Sequence, residues 1–195
     1  MNAFAQAGTY LVRTLGSVYL LIVMLRFLLQ LLRADFQNPI SQFVIKATHI
    51  PSRPIRKLLP TYRTFDGATL VLAILVQWLV IQLTATINGA SIIHPGHAIS
   101  WSVLGIISLV LNIYFYGLLA VIILSWVAPY NNHPAIALLY QIIEPVTAPF
   151  RRLIPPLGGL DLSPIFMFLV IGMLQRFVNA LAHSMLLPAA VVPGI

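Results

Sequence analysis

The sequence predicts an all-α integral membrane protein, with four transmembrane helices arranged as two tandem hairpin repeats. Three observations carry that expectation. Only 8% of the 195 residues are charged while 59% are hydrophobic, and mean hydropathy is +0.94. A soluble domain carries about 25% charge, so much of this surface must face lipid. Four stretches reach the roughly 20 apolar residues needed to cross a hydrocarbon core about 30 Å thick. A motif of prolines, apolar residues and paired bases also recurs at a spacing of 95 residues.

The first stretch covers about 10–32 and contains Arg13 and Arg26. A cleaved leader would place bases ahead of a short apolar core and a small-residue cleavage site. Here the first base lies inside a long apolar run that ends at Arg33, which predicts a retained helix. Arg26, near the end of that helix, is expected to snorkel. The second stretch covers 68–88 and follows Asp66; the third, 101–127, is the longest and cleanest. The fourth, about 164–187, follows Asp161 and Ser163, opens at Pro164 and is interrupted by Arg176, Asn179 and His183. A capping oxygen ahead of a helix, reinforced in the fourth stretch by proline at its first position, marks a helix start, so Asp66 and Asp161 are expected to be helix caps.

Charge sets the orientation. Arg33, Lys46, Arg53, Arg56, Lys57 and Arg63 lie between the first and second stretches, and Arg151 and Arg152 between the third and fourth. The connection at 89–100, the residues before 10 and those after 187 hold no lysine or arginine. Basic flanks stay on the cytoplasmic side. Both basic connections are therefore expected in the cytoplasm and both termini in the periplasm. The net charge of +7 is then mainly a topology determinant, with anionic lipid headgroups as its natural partners. Nucleic-acid binding is not needed to explain it.

The repeat lies in those connections. Pro54-Ile55-Arg56-Lys57-Leu58-Leu59-Pro60 matches Pro149-Phe150-Arg151-Arg152-Leu153-Ile154-Pro155, Asp66 falls on Asp161, and Pro39 on Pro134. The chain is expected to be a single membrane domain over 1–195, with one repeat at about 10–88 and the other at about 101–187. Both copies would run in the same direction, which relates them by an axis along the membrane normal. Ile40, Phe43, Val44, Ala47 and Ile50 follow helical spacing, as do Ile136, Leu139, Tyr140 and Ile143. Each set predicts a short amphipathic interfacial helix of about ten residues, too short to span. The prolines bounding the motif are expected to block a continuous helix there. Arg56, Lys57, Arg151 and Arg152 would form a membrane-interface basic motif, reaching phosphates while their apolar neighbours enter the acyl boundary.

Inside the membrane, Arg176 lies about 12 residues, or roughly 18 Å, into the fourth helix. Asn179 shares its face, and Gln77 and Asn112 sit near mid-depth in the second and third stretches. Such residues turn inward more often than toward lipid, so Gln77, Asn112, Arg176 and Asn179 are expected to form an intramembrane polar network, either a packing device or part of a conducting path. Enzyme chemistry has little to work with. The chain has no cysteine and four acids, none of them paired for acid–base work, and Gly158-Gly159 lacks the Lys-Ser/Thr of a phosphate-binding loop. No cofactor or metal is expected; His94 and His97 share a loop without a nearby acid.

The two Pro-apolar-basic-basic-apolar-apolar-Pro motifs, each followed by an Asp leading a hydrophobic helix, resemble the YggT family of bacterial inner-membrane proteins. The segment Asp35-Phe36-Gln37-Asn38-Pro39-Ile40-Ser41-Gln42-Phe43-Val44 is similar to that family's first connection. Pro155-Pro156-Leu157-Gly158-Gly159-Leu160-Asp161-Leu162-Ser163-Pro164 is similar to its second. The chain departs from its own second copy at Thr61-Tyr62-Arg63-Thr64-Phe65, where that copy has a glycine-containing turn. The resemblance implies osmotic-shock tolerance through potassium transport. Through the related YlmG proteins of plastids and cyanobacteria it alternatively implies a non-transporting scaffold or assembly factor, for division or cytochrome assembly, whose basic connections dock a partner. That partner could be another membrane protein. A conducting form is expected to be a homo-oligomer, since four helices can hardly enclose a wide channel.

Overall fold

In lipid, backbone polar groups must be satisfied within the segment that carries them, so long apolar stretches become helices. The computed structural model describes residues 3–128, 133–153 and 161–185. They form α1 (Ala3–Leu31), α2 (Pro39–Leu58), α3 (Gly67–Ile87), α4 (Pro95–Val127), α5 (Pro134–Leu153) and α6 (Ser163–Ser184), with no strand among the described residues. Helices α1, α3, α4 and α6 are long and apolar enough to cross a membrane. Two begin earlier than the hydropathy pattern suggests: α1 at Ala3, and α4 at Pro95, where the His94 ring accepts from Gly96 N–H. The predicted end of the fourth stretch lies outside the described residues.

The four spans form a row of neighbours, α1 against α3, α3 against α4 and α4 against α6. Neighbours run antiparallel within each pair. Asn88, just past α3, donates to Thr9 near the start of α1 at 3.1 Å, and Trp101 near the start of α4 donates to the Met185 carbonyl just past α6 at 3.4 Å. At the opposite end, α2 and α5 sit side by side. Asp35 N–H donates to Gln141 Oε1 at 2.8 Å, and the Asn38 side-chain amide donates to the Pro134 carbonyl at 2.7 Å. Apolar clusters fill the contacts. Leu20, Val23, Met24, Leu72, Ala73 and Ile106 join α1, α3 and α4, while Ile81, Leu104, Val178 and Ala182 join α3, α4 and α6. At the α2/α5 end, Leu29, Val44, Leu118, Ile143 and Met167 join five helices. Leu15, Leu79, Ile107 and Phe177 are among the large apolar side chains left outside, as lipid contact requires.

The prolines do not stop the connecting helices, contrary to the sequence expectation. Helix α2 continues through Pro51 and Pro54, and α5 through Pro145 and Pro149, so each is 20 residues long. Interior prolines each forfeit one backbone bond, and the packing of Val44, Leu138, Ile142 and Ile143 in the core holds both helices through that loss. Thr48 Oγ1 donates to the Val44 carbonyl at 2.6 Å, Ser52 Oγ to the His49 carbonyl at 3.1 Å, and Thr147 Oγ1 to the Ile143 carbonyl at 2.6 Å. Helix α2 ends at Leu58; Leu59, which precedes Pro60, has φ of −124° and ψ of 87°, away from the helical region as a residue before proline prefers. The inward face of α2 also differs from the predicted apolar stripe. Ser41, Val44, Thr48 and Ser52 are buried, whereas Phe43 and Ile50 face outward.

Candidate functional site

The polar groups concentrate where α2 and α5 meet the spans. Arg26 does not snorkel; it is 4% exposed. Its Nη1 donates to Thr48 Oγ1 at 2.7 Å, Ser52 Oγ at 3.3 Å and the Ile45 carbonyl at 3.4 Å. A guanidinium taken out of water must keep its hydrogen bonds. The small hydroxyls on the inner face of α2 supply them, each also donating to its own helix. Sequence reasoning missed this socket because its parts lie 22 and 26 residues apart. The available signal was the spacing of Ser41, Thr48 and Ser52, which puts hydroxyls on one helical face.

Both predicted cap aspartates are tied to the predicted basic motif. Asp66 is the N-cap of α3, accepting from Thr69 N–H at 3.3 Å and from Thr69 Oγ1 at 2.6 Å. It is fully buried and forms a salt bridge with Arg56 Nη2. Asp161 stands one residue before the N-cap of α6 and accepts from Ser163 N–H at 2.9 Å. Arg151 reaches it at 3.0 Å and also contacts Glu144 at 2.8 Å. Hydrogen bonding from Ser163 holds the Asp161 carboxyl below the usual carboxylate range; partial burial opposes this and the Arg151 guanidinium reinforces it. The first base of each motif therefore latches the end of a connecting helix to the start of the next span. The second base of each, Lys57 and Arg152, is exposed, as are Lys46 and Arg53.

The four residues expected to form an intramembrane network do not assemble as one. Gln77 is fully buried in α3, and Asn112 accepts from the Gln175 amide at 2.8 Å across the α4–α6 contact. Arg176 and Asn179 are exposed on α6. The reason is rotational. Met167, Ile171, Val178 and Ala182 form the buried face of α6, and Gln175 lies on that face, whereas Arg176 is turned about 100° from it. Among the described residues, no group of three or more His, Asp or Glu side chains is placed to hold a metal ion.

Comparison with known proteins agrees with the resemblance seen in the sequence. The CCB3/YggT family model matches twice, over residues 5–87 and 100–182. The chain is 46% identical over 175 residues to an uncharacterized protein of Pseudomonas aeruginosa, covering 88% of each. It is 32% identical over 185 residues to the uncharacterized protein YggT of Escherichia coli K12, covering 92% of this chain and 95% of that one. It is 38% identical over 106 residues to YlmG homolog protein 2, chloroplastic, of Arabidopsis thaliana, covering 53% of this chain and 40% of that one. No solved structure matches the chain.

Proposed function

The chain belongs to the CCB3/YggT family, and from that premise we propose that it is a multi-pass inner-membrane scaffold, a duplicated pair of hairpins whose basic connections dock an acidic partner in the cytoplasm. The observation that carries this reading is the double latch. Arg56 with Asp66, and Arg151 with Asp161, clamp two 20-residue helices to the spans. The backbone and amide bonds from Asp35 and Asn38 join those helices to each other. A rigid platform results, with Lys46, Arg53, Lys57 and Arg152 on its outside. Steering of an acidic partner by such a face is strongest at low salt. The match of the family model to two segments 95 residues apart supports duplication.

Potassium transport is the second reading, and the Asn112–Gln175 pair between α4 and α6 is the observation on its side. Two experiments separate the readings. Liposomes carrying the purified chain should show no ion flux above empty liposomes. In cells, the double variant Lys57→Gln/Arg152→Gln should reach normal membrane levels yet fail to restore osmotic-shock survival to a strain lacking the protein. Flux that responds to Asn112→Leu or Gln77→Leu would transfer the function to transport.

A further inference from the structure

A cavity of about 510 Å³ opens beside the Arg26 socket. Its lining includes Arg26, Arg33, Arg56 and Arg63, with Phe36 and Ile45 as apolar walls, and no carboxylate. The nearby acid Asp66 is engaged by Arg56 and Thr69. Among the described residues Arg26 donates only from Nη1, and Arg56 Nε is buried without an acceptor. The cavity thus gathers more cationic donors than the fold itself uses.

Two of the arginines are held there by unusual backbone. Arg33 closes α1 with φ of 55°, its N–H bonded to the Gln30 carbonyl at 3.3 Å and that of Ala34 to the Leu29 carbonyl at 2.9 Å. That position in a helix C-cap ordinarily takes glycine. Arg63 has φ of 53° at the tip of a turn closed by reciprocal hydrogen bonds between Tyr62 and Phe65, of 3.1 and 2.9 Å. The turn is pinned by the Phe65 ring, edge-on to Phe27 at 5.7 Å. This is the segment in which the first copy departs from the second. Ninety-five residues on from Arg26, Arg33, Arg56 and Arg63 stand Val121, Ala128, Arg151 and Gly158. The latch arginine is kept, and the other three are absent from the second copy. The helix–connection–helix architecture therefore does not require them.

We infer that this cavity is a binding site for a phosphoryl anion, either the headgroup of an anionic phospholipid or a free phosphate ester. Guanidinium groups present forked donors that match phosphate oxygens, and several converging on one cavity give an anion both charge and geometry. The volume lies within the range of small-ligand sites. Arg26 is five residues before the end of α1, about 7 Å below it, so the cavity reaches from the level of the helix end into the span. The site is separate from the exposed Lys57 and Arg152, and it stands whether or not those residues dock a partner.

The test uses the full chain purified in a zwitterionic detergent. Phosphatidylglycerol, phosphatidylcholine, glycerol phosphate and inorganic phosphate are titrated separately, with native mass spectrometry and thermal unfolding as readouts. One saturable equivalent of a phosphoryl anion is expected, with a rise in apparent Tm and no saturable binding of phosphatidylcholine. Arg33→Gly and Arg63→Gly suit their backbone, so the unliganded variants should be at least as heat-stable as the parent. Each should nevertheless weaken binding by about tenfold or more, as loss of a charge-assisted donor pair implies, while Lys57→Gln binds like the parent. A response to phosphatidylglycerol alone identifies the ligand as lipid, and a response to glycerol phosphate or inorganic phosphate identifies a free anion; either supports the site. Absence of saturable binding by both classes, or equal weakening by Lys57→Gln, overturns it.

Discussion

Arg26 and Asp66 are the two most deeply buried acidic or basic side chains among the described residues, and substitution is expected to affect them differently. Thr48→Val removes the 2.7 Å acceptor and leaves the Arg26 guanidinium under-bonded, so the account predicts a loss of about 1–3 kcal/mol in a micellar unfolding titration. Arg26→Met replaces the charge with an apolar chain of similar reach and should change stability little, or raise it. At the latches, Asp66→Ala should cost about 2–4 kcal/mol, because the carboxylate is fully buried and caps α3 as well as pairing with Arg56. Asp161→Ala should cost less than about 1 kcal/mol, since both Asp161 and Arg151 are more than one-third exposed. The Asp161 carboxyl is held below its ordinary value in the folded chain. Its contribution is therefore complete above that ordinary value and is lost as pH falls through the lowered one. Asp161→Asn should flatten the acid limb of a stability–pH curve and leave the neutral region unchanged in slope. The capping role of Asp66 was legible from its position two residues before an apolar run. The Arg26 socket was not, because a base near a helix end reads as a snorkelling residue until the hydroxyl face of α2 is folded back over it.

Helix contacts depend on a few close approaches. A Cβ on Gly16 would lie 2.3 Å from Val80 Cγ2, and the branched valine has little freedom to move aside. Gly16→Ala should therefore separate α1 from α3 at a cost of about 1–3 kcal/mol. The double variant Gly16→Ala/Val80→Ala should recover part of it in the same unfolding assay; equal losses for the single and double variants would place the cost elsewhere. Periodicity and length were enough to find the four spans, since apolarity over about 20 residues admits few other folds. They failed at the connecting helices for a physical reason. The proline rule counts a lost backbone bond and a local clash, but most helical stability in a folded chain comes from tertiary packing, here that of Val44, Leu138, Ile142 and Ile143 in the core. In α6 the residues of the buried stripe were all visible, yet Arg176 was read as inward because depth was judged before rotation. Met167, Ile171, Gln175, Val178 and Ala182 mark the buried side.

Taken together, the helices make an open row of four spans with a basic layer at one end and a short loop at the other. The duplicated motif is what made this organisation readable, because matching prolines, bases and aspartates occur at one spacing throughout. What the motif did not convey is that the first base of each pair bonds an aspartate of the fold while the second is left exposed. Both basic connections are expected on the cytoplasmic side of one bilayer. The chain has no native cysteine, so single cysteines report position without background. Lys57→Cys, Arg152→Cys and Ala90→Cys, each probed in intact cells and in inverted vesicles with a membrane-impermeant maleimide, test it most directly. Positions 57 and 152 should label only in inverted vesicles and position 90 only from outside the cell. Labelling of 57 and 152 from opposite sides, or of 57 and 90 from the same side, would contradict it.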